Sequence, residues 1–244
     1  TYENKLNDWV NKEKLGVNLL NSVGKLMYDK GIELVLFRNQ LLEIGVSELL
    51  DLISYANNVV ERKNNIEVAN KLASCMLQMN LAASKIDIGL LTAEFIEGNE
   101  LDEFNFLNEK LSHIVNADTS SKKAKDVILF GFGRIGRLTA RELIKQAGKG
   151  QQLRLKAIVV RNLTKEQIIK RADLFRTDSV HGVFKGVVDL ELESNSIVVN
   201  GQVIRFIEGK NPENINYEQY GINDALLIDN TGAYTDKESL SIHL

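Results

Sequence analysis

The chain has a single cysteine, Cys75, in 244 residues. One thiol excludes an intrachain disulfide framework and a zinc site built on cysteines. Its setting among Ala73, Met76 and Leu77 predicts a buried structural thiol rather than a nucleophile. Histidine is nearly as scarce, and His113, His181 and His243 are too scattered to form a metal cluster. Long apolar runs are also missing, since none approaches the ~20 residues that span a bilayer. No basic start followed by an apolar core marks a secretory signal. The expected setting is therefore cytoplasmic, with no membrane partner. A strong charge of either sign is absent as well. The 30 basic and 33 acidic residues leave a net charge of −3, which gives no support to a nucleic-acid partner. The only proline, Pro212, punctuates a loop.

What is present is ordinary globular material, 44% hydrophobic and 26% charged. The length suits one large domain or two small ones. The charge is unevenly divided. Residues 1–115 carry 17 acids against 11 bases, and the remainder carries 16 against 19. The mildly basic part suits an anionic cofactor.

Apolar spacing predicts helices through residues 1–115. Leu6, Trp9, Val10, Val17, Leu20, Val23 and Met27 form one amphipathic stripe. Leu34, Phe37, Leu41 and Ile44 repeat it. Ser47 and Ser84 read as caps of later helices, and Gly98 as a stop. An all-α helical domain is the expectation here. The polar stretch 116–125, NADTSSKKAK, reads as a linker. Residues 126–244 then alternate strand and helix, as an α/β dinucleotide-binding domain does.

The organising stretch is residues 127–137, VILFGFGRIGR. A strand-like run precedes Gly131, Gly133 and Gly136, and a helix-like run follows. Gly131 permits the tight turn off the strand. Gly133 has no side chain, so a diphosphate can approach the backbone. Gly136 lets the helix pack close to the strand. The helix then presents unpaired N–H groups and a positive dipole end to the phosphates. AGKGQQ, at 147–152, reads as a solvated turn.

The second strand, LRLKAIVV at 153–160, ends in Arg161 and Asn162. A Rossmann strand carries an acid there for the adenosine ribose. Asn162 can still bond a hydroxyl without repelling a 2′-phosphate, and Arg161 could pair with one. NAD is the expected cofactor, with NADP possible. A helix over 164–175 follows, then three short antiparallel strands with turns at Asn195 and at Asn200 and Gly201. The next parallel strand, DALLID, leads into Asn230, Thr231 and Gly232. Thr235 and Glu238 predict a capping box for the last segment.

GFGRIGR, DSVHG at 178–182, the VVNG hairpin, PEN at 212–214 and NTGAYTDKESLSIHL together resemble phosphorylating glyceraldehyde-3-phosphate dehydrogenase, from about residue 127 to 244. The helical part resembles the long N-terminal extension of some bacterial members. The resemblance implies a tetrameric glycolytic enzyme that oxidises glyceraldehyde 3-phosphate with inorganic phosphate to 1,3-bisphosphoglycerate. It further implies that the N–H groups of Arg134 and Ile135 hold the diphosphate. Asn162 stands where the family usually has an Asp. Lys210 takes roughly the place of an Arg near the adenine, Thr231 and Gly232 line the cofactor cleft, and Tyr234 matches an aromatic beside the adenine. His181 reads as a structural loop residue. Phe130 and Asn230 depart from the family's Asn and Ser. The family's catalytic cysteine and histidine lie beyond the segment matching this chain. The expectation is therefore a cofactor-binding portion that lacks them and is inactive alone, with no catalytic residue assigned. The alternatives are an erythrose-4-phosphate dehydrogenase and a non-catalytic nucleotide-binding or assembly module.

Overall fold

The computed structural model describes residues 1–117, 124–147 and 153–243. Most of the expected linker and of the AGKGQQ turn lies outside the described residues. The chain divides into two compact units, Thr1–Lys122 and Lys123–Leu244.

The first unit is mainly helical: α1 (Tyr2–Lys25), α2 (Val46–Asn58), α3 (Ile66–Gln78), α4 (Ile88–Glu97) and α5 (Glu103–Lys110). It is not all-α. A three-stranded sheet, in the order β2-β1-β3, is formed by β1 (Ile32–Leu36), β2 (Asn39–Gln40) and β3 (Ser84–Asp87). The helical spacing of Leu34, Phe37, Leu41 and Ile44 is thus coincidental. Leu34 lies within β1, and the N–H of Leu41 donates across the hairpin to the Leu34 carbonyl. The reason is non-local. β1 pairs in parallel with β3, from Ile32 opposite Ser84 to Val35 opposite Asp87. Phe37 and Arg38 turn the hairpin with φ of 47° and 70°. Their N–H groups donate to the Asp87 carboxylate at 3.0 and 3.2 Å. The same carboxylate caps α4 through the N–H of Leu90. Asp87 therefore caps that helix, and Ser84, expected to do so, is a strand residue.

The core of this unit gathers Leu19, Val23, Leu26, Ile32, Leu34, Leu72, Met76, Ile88 and Leu107. The predicted α1 stripe divides along its length. Val23 and Met27 are buried, whereas Leu6, Trp9, Val10 and Val17 are exposed. Lys30 satisfies the end of α3 by donating to the carbonyls of Met76, Leu77 and Met79. Cys75 is half-buried against the core. Burial pushes its thiol pKa up, and Glu103 and Asp102 add to this, so it is a poor nucleophile.

The second unit contains β4 (Lys125–Phe130), α6 (Arg134–Gln146), β5 (Leu153–Val160), α7 (Lys165–Arg176), the short pair β6 (Thr177–Asp178) and β7 (Gly182–Val183), then β8 (Val188–Glu191), β9 (Ser196–Val199), β10 (Gln202–Glu208), β11 (Leu226–Asp229) and α8 (Lys237–Leu240). Its main sheet has the order β11-β4-β5-β10-β9-β8. The four strands β11, β4, β5 and β10 run parallel, and β10, β9 and β8 are antiparallel. This is a Rossmann-type sheet with the expected antiparallel excursion. Asn195, Asn200 and Gly201 take φ of 52°, 47° and 79° at its turns, as their residue types predict. The capping box at the last helix lies one residue later than expected. Asp236 and Ser239 form it, because Asp236 accepts the N–H of Ser239 at 2.8 Å.

Apolar residues cover both faces of the sheet. Val127, Leu129, Ile158, Ile168, Phe175 and Phe206 fill one side, and Ile128, Phe130, Val159, Ile207 and Ile222 the other.

Candidate functional site

The parallel strands place the site. The chain passes from β4 to β5 and β10 on one side and returns to β11 on the other. Connections therefore diverge at the carboxyl end of β4, where a crevice opens in such sheets. A cleft of about 410 Å³ lies there. Its described lining runs from Phe130 to Gly133, takes Val159, Val160 and Arg161 from the end of β5, and adds Arg171, Gly209, Asn230 and Thr231. A larger cavity of about 530 Å³ in the first unit is bordered by Trp9, Asn57 and Asn64. It lacks the convergence of glycine loop, helix start and strand ends that marks the smaller cleft.

The glycine loop is built by steric necessity. Gly131 has φ of 96°, a conformation L side chains rarely adopt, and its N–H donates to the Val159 carbonyl at 3.0 Å. A Cβ on Gly136 would lie 2.4 Å from the Gly131 carbonyl oxygen, so only hydrogen lets α6 start this close to β4. Gly133 differs: a Cβ there would meet nothing within 4 Å. Packing against the described residues therefore does not demand a glycine there. Gly133 is also the N-cap of α6 and supplies no side-chain cap. The start of α6, at Arg134 and Ile135, therefore has no side-chain cap for its N–H groups.

The opposite wall follows β11. Asp229 Oδ1 accepts from the N–H and the hydroxyl of Thr231 at 2.8 and 2.7 Å. Thr231 Oγ1 in turn accepts the N–H of Ala233 at 3.1 Å. The other Asp229 oxygen lies 3.2 Å from His243 Nε2. This network fixes the 229–233 turn against the glycine loop, where Thr231 stands across from Gly131.

Of the sequence-predicted residues, the cleft lining unites Gly131, Gly133 and Thr231. Arg134 and Ile135 are exposed at the start of α6, and Gly136 is buried beneath the loop. Asn162 is exposed just beyond β5, outside the lining. Lys210 is exposed next to Gly209, and Gly232 is exposed with φ of 70°. Tyr234 is half-buried, its ring edge-on to Phe130 and His243.

Sequence reasoning missed Arg171, a half-buried residue whose Nη1 is fully buried without a hydrogen-bond partner. Its signal was visible in principle. It adjoins Ala172 on α7, whose inner residues are Ile168, Ala172 and Phe175, so a cation stands beside a buried apolar face. His181 is tied to structure. Asp178 accepts the N–H groups of Val180 and His181 and lies 3.1 Å from His181 Nδ1 and 3.2 Å from Arg137 Nη2. These bonds hold the Asp178 carboxyl well below the usual carboxylate range, the His181 N–H first among them. Among the described residues no group of histidine, cysteine and acids is placed to hold a metal ion, and no helix is long and apolar enough to cross a membrane.

Comparison with known proteins agrees with this geometry. Residues 125–237 match the family model described as "Glyceraldehyde 3-phosphate dehydrogenase, NAD binding domain". A "Glyceraldehyde-3-phosphate dehydrogenase-like protein" of Pseudomonas aeruginosa is 42% identical over 175 residues, covering 71% of this chain and 38% of that protein. That match is longer than the second unit, so it extends into the first. A "Glyceraldehyde-3-phosphate dehydrogenase" of Zymomonas mobilis is 32% identical over 121 residues, 50% of this chain and 33% of that protein. One of Clostridium pasteurianum is 31% identical over 118 residues, 48% of this chain and 32% of that protein. The chain thus spans between 32% and 38% of the length of these curated relatives. With its glycine loop at the switch point, the second unit is similar over residues 125–237 to the NAD-binding domain of glyceraldehyde-3-phosphate dehydrogenase, and the chain resembles proteins of that name.

Proposed function

We propose that the second unit holds NAD for a phosphorylating oxidation of glyceraldehyde 3-phosphate to 1,3-bisphosphoglycerate by the intact protein. The observation that carries this reading is the open space before Gly133 at the uncapped start of α6. NAD fits that cradle, and when bound it supplies a hydride acceptor. The N–H groups of Arg134 and Ile135 donate to its diphosphate. Gly136 keeps the helix close enough for them to reach. Thr231 and Gly232 form the far wall, Tyr234 and Lys210 serve the adenine end, and Asn162 bonds a ribose hydroxyl. NADP is tolerated because Asn162 carries no charge to repel a 2′-phosphate, while Arg161 offers one of the opposite sign. The described cleft lining has no thiol or imidazole, so this unit's part is binding and orientation.

The same reading includes a cytoplasmic homo-oligomer, a tetramer by family, with small-molecule substrates and no nucleic-acid or membrane partner. Exposed Tyr2, Leu6, Trp9 and Val10 on α1 favour assembly through the first unit as a further role. The test is cofactor reduction by the intact protein. Glyceraldehyde 3-phosphate should support reduction only when phosphate or arsenate is present. Equal rates without either sink the phosphorylating assignment, and faster turnover of erythrose 4-phosphate moves the substrate to that sugar.

A further inference from the structure

We propose that Arg171 anchors a phosphate on the 2′ position of the adenosine ribose, so that this cleft reads NADP through a residue outside the glycine loop. The inference rests on the cofactor reading above.

Three observations converge on it. First, the guanidinium is poised without an acceptor: Arg171 Nη1 is fully buried and has no partner. Burial alone pushes its pKa down, as expected of a partly buried cation with no counter-charge beside it. Neighbouring arginines of this unit are engaged. Arg137 pairs with Asp178, Arg141 donates to the carbonyls of Phe175 and Gly182, and Arg176 bonds Asp173 and the Val188 carbonyl. A buried donor left unmet is costly, so a bound anion is the economical partner.

Second, the cleft is cationic. Arg161 and Arg171 both line it, and no Asp or Glu does in its described lining. Third, topology separates the two anions of the ligand. The diphosphate has its donors at the first turn of α6. Both arginines belong instead to the end of β5 and the helix that follows it, the ribose side of the fold. Asn162, the residue at the position of the usual ribose acid, adds no negative charge there. A planar guanidinium suits a phosphate, since it can donate two parallel bonds.

The experiment titrates the 244-residue chain with NAD, NADP, 5′-ADP and 2′,5′-ADP by calorimetry. The wild-type chain should bind 2′,5′-ADP at least as tightly as 5′-ADP, a comparison that needs no variant. Arg171→Leu should weaken NADP about tenfold or more while leaving NAD within about twofold. A thermal melt of the variant accompanies the titration. Equal weakening of both dinucleotides would assign Arg171 to the diphosphate and overturn the proposal. So would unchanged NADP affinity, or a wild-type chain that discriminates against the 2′-phosphate by about a hundredfold. A wild-type chain that binds neither NAD nor NADP is a different failure, that of the cofactor reading itself.

Discussion

The two units hold similar amounts of chain but are specified in different ways. In the second, the key constraints are local. Gly131 must take a positive φ, Gly136 must clear a carbonyl, and Asn200 and Gly201 must turn a hairpin. Each is a steric demand made by a residue on its near neighbours. In the first unit the deciding contact joins β1 to a strand some fifty residues later, and one carboxylate, Asp87, ties hairpin to helix. Local demands leave a mark on sequence spacing; a pairing across fifty residues leaves none.

The sharpest blow to the second unit is Gly136→Ala. Its Cβ would meet the Gly131 carbonyl at 2.4 Å, and backbone cannot yield as a side-chain tip can. We expect a loss of about 3 kcal/mol, at the upper end for overpacking, together with loss of NAD binding, read by denaturant unfolding and titration. Retained stability would show that the loop tolerates what the geometry forbids.

Asp87→Ala should break the first unit by removing three backbone hydrogen bonds at once. About 2 kcal/mol is the expected cost, from a lost cap and two unmet N–H groups. If the comparison holds, NAD affinity stays within about twofold, a change of ~0.4 kcal/mol. A parallel loss of NAD binding would show that the two units are not specified separately.

A smaller, pH-dependent effect is expected at Asp178. Its folded pKa is depressed, so its stabilisation is present above the ordinary carboxylate value and fades as the pH falls below it. Asp178→Asn should lower the melting temperature at neutral pH. The gap to the wild type should close as the pH drops below about 4. A gap that stays constant down to acid pH would mean that the charge of Asp178 contributes nothing.

These contrasts also explain what could be read in advance. The parallel strands, the antiparallel excursion and the glycine loop were legible because strand alternation and turn residues are short-range signals. The hairpin at Phe37 and Arg38 was not, since neither residue type prefers a positive φ and the carboxylate that stabilises it lies far along the chain. Apolar spacing on α1 misled for another reason. It marks an apolar face without saying whether anything covers it, and Trp9 is 46% exposed. Arg171 escaped notice because a single arginine beside Ala172 is ordinary until its partnerless nitrogen is seen in the cleft.

The central claim is that the missing side chain of Gly133 makes room for a diphosphate and does nothing for the fold. Gly133→Ala separates these roles, because its φ of −72° accepts alanine and its Cβ would meet no protein atom within 4 Å. Titrating NAD into the wild-type and Gly133→Ala chains, with a melt of each, is the most direct measurement. The account predicts an unchanged melting temperature and NAD affinity weakened by at least about tenfold, ~1.4 kcal/mol. An NAD affinity equal to that of the wild type would contradict it.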